Sequence, residues 1–140
     1  MMISSRGRYA LRVMIDLAVN DCGESIPLKD IAARQDISLK YLEQIIALLH
    51  KAGFLASQRG SSGGYRLARA PETYTAGDIL TAAEGTLAPI ACLGDTDCAR
   101  SSECAALPFW KDYYRTVSDF VGSVTLRDLA EQAKAMGGQA

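Results

Sequence analysis

The stretch that decides the fold is IPLKDIAARQDISLKYLEQIIALLHKAGFLASQRGSSGGYRLA, residues 26–68. Pro27 suits the start of a helix, where its missing N–H costs nothing, and LKDIAARQ follows as a short helix. Asp36-Ile37-Ser38 makes a tight turn, and the Ser38 side chain caps the next helix, LKYLEQIIALLHKAG. Leu42, Ile45, Ile46 and Leu49 recur at helical spacing and form its buried side. Gly53 stops it, because glycine tolerates the left-handed conformation favoured past a helix C-terminus. Two short helices joined by such a turn form a helix-turn-helix. FLASQ then reads as a strand, RGSSGG as a glycine-rich hairpin tip and YRLA as the returning strand. A helix-turn-helix running directly into a hairpin has the layout of a winged helix, with Arg59 reaching outward from the wing tip.

Outward from that stretch, Ser5 is placed to cap a first helix from Arg6 to about Asn20, with Tyr9, Ala10, Val13, Met14 and Leu17 on one apolar side. Cys22-Gly23 closes it. Thr75 and Asp78 have the spacing of a capping box for the helix AGDILTAAE. After Pro108, Phe109, Tyr113, Val117, Phe120 and Val124 recur at helical spacing, and Trp110, Tyr114 and Val121 widen the stripe. So broad an aromatic face predicts packing on something outside its own core, most simply a second copy related by a two-fold axis. Thr125 and Asp128 cap a last helix, LRDLAEQAKA, and MGGQA reads as a frayed tail.

The predicted fold is mainly α with a small β-hairpin wing: a winged helix-turn-helix domain plus a long C-terminal dimerisation helix. Residues 1–84 form the DNA-binding unit with its following short helix, 85–107 a cysteine-rich loop, and 108–140 the dimerisation helix and C-terminal helix.

The 140 residues are 49% hydrophobic and 22% charged, as in an ordinary globular protein of one domain. No apolar run approaches the roughly eighteen residues a membrane span needs, and nothing resembles a signal-peptidase site. A cytoplasmic location is expected, where clustered cysteines more often bind metal or do redox work than form disulfides. Net charge is only −1, but residues 1–70 carry ten Lys/Arg against six Asp/Glu, and residues 71–140 carry five against ten. A basic first half suits contact with a polyanion.

Cys92, Cys98 and Cys104 in CLGDTDCARSSEC are each separated by five mostly small or polar residues. Cysteine thiolates are the standard ligands of iron–sulfur clusters. The interval differs from the Cys-x2-Cys knuckle of zinc ribbons and from the close dithiol of thioredoxin-like enzymes. Glu103, Asp95 and Asp97 are oxygen donors in the same loop. In helix-turn-helix proteins the early residues of the second helix meet base edges in the major groove. Here Lys40, Tyr41, Glu43 and Gln44 are expected on the exposed side. Gln pairs with adenine, Lys with guanine, and Glu accepts from cytosine. Ser38 and Tyr41 suit phosphates, and Arg59 suits a narrow minor groove.

SSRGRYALRVMIDLA, IPLKDIAARQDISLKYLEQII, RGSSGGYRLAR, the three cysteines and PFW…VTLRDL together resemble the IscR-type iron–sulfur winged-helix regulators, to which NsrR and RirA proteins are related. The resemblance covers nearly the whole chain. It implies a homodimer on a double-stranded palindromic operator, with an iron–sulfur cluster on the three cysteines adjusting DNA binding. It favours a 2Fe–2S cluster. The histidine that follows the third cysteine in IscR-like proteins is Leu107 here, however, and the first-helix carboxylate of NsrR-like proteins is Arg8. A 4Fe–4S cluster with an open iron therefore stands beside it. His50, late in the recognition helix, is expected to be structural, and Cys22 a small buried thiol. The competing function is a cluster-free winged-helix regulator that senses thiol redox or a protein partner. With one histidine, no nucleophile triad and no phosphate-cradling loop, the chain is not expected to be an enzyme.

Overall fold

Six α-helices and one hairpin follow in the order α1 (Ser5–Val19), α2 (Leu28–Gln35), α3 (Leu39–Lys51), β1 (Leu55–Gln58), β2 (Gly64–Leu67), α4 (Ala76–Glu84), α5 (Leu107–Ser123) and α6 (Leu126–Ala135). They are seen in a computed structural model that describes residues 2–94 and 97–137. The first cap is Ser4 rather than Ser5: its side chain accepts from the Gly7 N–H, so the helix begins one residue earlier than its sequence suggests. Ser38 caps α3 by accepting from the Tyr41 N–H, and Thr75 with Asp78 and Thr125 with Asp128 close reciprocal capping boxes on α4 and α6.

The core is one cluster. Ala10, Val13, Met14 and Leu17 of α1 meet Ile31 of α2, then Leu42, Ile45, Ile46 and Leu49 of α3, and finally Ile79 and Ala83 of α4. Leu126 and Ala130 of α6 join the same cluster, so the last helix packs back on the winged-helix domain. Gly53, at φ 79°, turns the chain out of α3 into the wing. β1 and β2 pair antiparallel, with Leu55 opposite Leu67 and Gln58 opposite Gly64. Ile26 adds a further rung: its N–H donates to the Tyr65 carbonyl at 2.8 Å, and the Tyr65 N–H returns to Ile26 at 2.9 Å. Gly64 permits that approach, since a Cβ there would run into the Ile26 carbonyl.

Tyr74 ties the wing to the helices. Fully buried, it meets Phe54 edge-on with centroids 5.4 Å apart. Its hydroxyl donates to the Phe54 carbonyl at 2.8 Å and accepts from the Arg69 N–H at 3.2 Å. Its own carbonyl accepts from the Leu126 N–H at the start of α6. Tyr74→Phe keeps the ring but leaves the Arg69 N–H without its acceptor and removes one of two donors to the Phe54 carbonyl, which still accepts from the Ala68 N–H at 3.1 Å. It should cost about 1–3 kcal/mol of unfolding free energy, read as a lower urea midpoint at unchanged slope.

Candidate nucleic-acid interface and cysteine loop

The first turns of α3 turn their polar side chains to solvent, beside the exposed Leu39, while Leu42 and Ile45 face the core. Ser38, Lys40, Glu43 and Gln44 are exposed, while Leu42 and Ile45 are fully buried. Tyr41 departs from the expected exposure. It is half-buried, and its ring meets Tyr9 of α1 edge-on with centroids 5.6 Å apart. Arg59 is exposed on the wing tip, beside Gly60 at φ 98°. His50 is exposed and lies edge-on to Tyr65 at 5.9 Å, a packing role at the wing root.

Behind α3 stands a polar set that the sequence reading missed. Asp16 of α1 is 1% exposed. Its carboxylate accepts two hydrogen bonds from the Arg34 guanidinium, at 2.9 and 2.7 Å, and a third from the Gln35 side-chain amide at 2.9 Å. Hydrogen bonding to Asp16 raises the Arg34 pKa further above its already high ordinary value. The signal in the sequence was a lone acid inside the apolar segment VMIDLAV. Such an acid is buried only with partners.

The cysteine loop runs from Gly85 to Ala106, between α4 and α5. Its start is pinned to α1. The Glu84 carboxylate, last in α4, accepts from the Ser4 N–H at 2.9 Å, the Ser4 hydroxyl at 2.6 Å and the Gly7 N–H at 3.2 Å. A carboxylate there satisfies free N–H groups and complements the positive end of the α1 dipole. Within the loop, Cys92 and Cys104 are exposed and Cys98 is half-buried. The Cys92 thiol is held above the ordinary thiol range, first by its hydrogen bond with Cys98 and then by repulsion from the charges Cys98 and Cys104 would carry. Among the described residues, no three Cys, His, Asp or Glu side chains stand in metal-binding geometry.

The donor set nevertheless fits an iron–sulfur group in kind. Three free thiols share one loop, and their mutual repulsion as thiolates is what a cationic centre offsets. Glu103 and Asp97 are exposed in the same loop, while Asp95 lies outside the described residues. Leu107 is half-buried as the first residue of α5, and Arg8 is exposed on α1, its guanidinium donating to Ser5 at 3.2 Å. Cys22 is exposed, not the buried small residue expected. It follows the helix end, outside the core.

α5 buries no residue fully. Tyr114, Ser118 and Val121 face α4 across a cleft of about 480 Å³ that also involves Phe54 and Gly77. Phe109, Tyr113 and Phe120 face solvent, at 61%, 39% and 67% exposure. The aromatic stripe thus divides into an inner and an outer face. No helix among the described residues is long and apolar enough to cross a membrane.

The family model for Rrf2, described as an iron-dependent transcriptional regulator, matches residues 3–132. The HTH-type transcriptional regulator IscR of Vibrio campbellii is 37% identical over 136 residues, spanning 97% of this chain and 81% of its own. That of Vibrio parahaemolyticus is 39% identical over 129 residues, covering 92% and 77%. The solved structure of CymR, the global cysteine regulator of B. subtilis, superposes with a TM-score of 0.77 at 38% identity, covering 94% of this chain and 98% of that one. The T. potens IscR structure gives 0.74 at 35%, covering 95% and 88%.

Because the loop thiols stand outside the core, their replacement should leave the metal-free fold intact. Cys92→Ser, Cys98→Ser and Cys104→Ser are each expected within about 0.5 kcal/mol of the parent in chemical denaturation.

Proposed function

Given that the chain belongs to the Rrf2 family of transcriptional regulators, we propose that it is a homodimeric DNA-binding regulator whose operator affinity is set by an iron–sulfur cluster on Cys92, Cys98 and Cys104. The observation that carries the DNA-binding half is the presentation of α3. Ser38, Lys40, Glu43 and Gln44 project from its first two turns, with Arg59 exposed on the wing of the same unit. Lys40, Glu43 and Gln44 read base edges in the major groove. Ser38 and the half-buried Tyr41 serve phosphates, and Arg59 enters the minor groove.

When bound, the cluster supplies an oxidant- and iron-sensitive crosslink among three thiolates. The fourth position falls to a loop carboxylate, Glu103 or Asp97 (Asp95 by sequence alone), for a 2Fe–2S group, or stays open for a 4Fe–4S group. The chain's own residues transmit loop order in two directions. Glu84 holds the loop's first end on the N-terminus of α1, and α5 begins directly after its last turn. Ordering the loop therefore fixes α5, and the dimer built on it, against the helix that braces α2 and α3. A bias of about 1–3 kcal/mol between the two arrangements is enough to change operator affinity five- to 150-fold.

A second reading has its own support. Cys92, Cys98 and Cys104 are free thiols of one loop, and the chain is 38% identical to CymR of B. subtilis. A cluster-free regulator that answers thiol redox or a protein partner also fits these facts.

Anaerobic purification with iron and sulfide counted per protomer separates the two. Two or four irons, lost on Cys92→Ala, together with different operator affinities for the loaded and stripped protein, is the expected result. Colourless protein from strictly anaerobic cells would leave the second reading. Dimerisation has a separate check. Phe120→Glu on the outer face of α5 should shift the sedimentation coefficient from dimer to monomer, while far-UV circular dichroism stays unchanged.

A further inference from the structure

We infer that Arg12 is the positioning residue of the helix-turn-helix, a clamp from α1 that holds both sides of the α2–α3 turn and sets the angle at which α3 meets DNA. The inference rests on the DNA-binding reading above. Tyr9, Arg12 and Asp16 lie at successive turns along one side of α1. On the α2 side, Arg12 donates through Nε to the Gln35 side-chain oxygen at 3.0 Å and through Nη2 to the Gln35 carbonyl at 2.9 Å. That carbonyl is among the acceptors a helix C-terminus leaves free, where a cation also complements the dipole. Gln35 then passes its amide to Asp16, which grips Arg34. On the α3 side, the Arg12 guanidinium lies over the Tyr9 ring, 4.9 Å from its centroid, and Tyr9 meets Tyr41 edge-on. One guanidinium thus touches the last residue of α2 directly and the first turn of α3 through a single ring.

What it clamps is a turn that needs holding. Asp36 sits at φ 51°, the only non-glycine residue with positive φ among the described residues. Such a conformation persists where its surroundings over-determine it. Lysine could not replace the arginine, because a point charge lacks the planar fork that meets two acceptors and stacks on a ring.

The test uses the full chain carrying Arg12→Ala or Arg12→Lys, with two readouts. The first is amide hydrogen exchange of residues 36–44 without DNA. The second is affinity for a duplex that the parent protein selects from a randomised library, against an unrelated duplex of equal length, across a salt series. Exchange at 36–44 should quicken about tenfold or more while α6 is unchanged, and affinity for the selected duplex should fall by a similar factor. Affinity for the unrelated duplex and the salt slope should hold.

Unchanged exchange and affinity would overturn the inference. So would a salt slope shallower by about one with unchanged exchange, which marks a phosphate contact. If Arg12→Ala unfolds, Arg12→Lys decides, and full retention of both readouts there refutes the fork. A parent protein that selects no duplex refutes the DNA-binding reading instead, and exchange alone then judges the clamp.

Discussion

The interaction on which the rest of the winged helix depends is the burial of Asp16. Taking a carboxylate out of water costs several kcal/mol unless its oxygens are paired. Asp16 therefore admits only arrangements of α1 and α2 in which Arg34 and Gln35 reach it. Hydrophobic contacts alone would let α2 slide or roll on α1, since apolar burial is non-directional. Three charge-assisted hydrogen bonds at fixed angles do not. Once α2 is placed, α3 follows it through the short turn at Asp36 and their shared core, and the wing follows α3 through Phe54 and Tyr74.

α1 is thus the shared scaffold of everything that follows. Its middle positions the helix-turn-helix, its buried face carries α3, α4 and α6, and its N-terminus holds Glu84 at the mouth of the cysteine loop. A loop more than twenty residues long would ordinarily be a weak mechanical link. Here one end is fixed by a carboxylate across a helix terminus and the other by winding straight into α5. α5 is the helix least satisfied by its own chain, with three large aromatic residues facing solvent. An element so poor in internal contacts takes its final position from what binds its outer face. That supports the proposed dimer axis through α5.

Much of this was legible from residue order. Helical periodicity with Ser38 and Gly53 located α3 and its buried side, and the capping boxes at Thr75 and Thr125 have the hydrogen bonds their spacing predicts. The family followed from motifs spread along the chain. Tyr41 was misread because its place on the helix surface says nothing about which neighbouring helix covers it. The aromatic stripe of α5 read as one broad face, since helical spacing alone does not show where α4 stops covering it. Asp16 stands as a lone acid in the apolar run VMIDLAV, but its partners lie 18 and 19 residues away, beyond what local spacing shows.

The sequence by itself determined the elements, the wing, the family and three thiols at a regular interval, because those follow from local periodicity, turn chemistry and spacing. Only the tertiary structure decided which polar groups meet. It brought Arg12 to Gln35, Arg34 to Asp16 and Glu84 to Ser4, and it folded α6 back on the first domain while leaving the outer face of α5 bare. The physical reason is range. Hydrogen-bond partners far apart in sequence are chosen by the packing of whole helices, and that packing is settled by the summed burial of all of them.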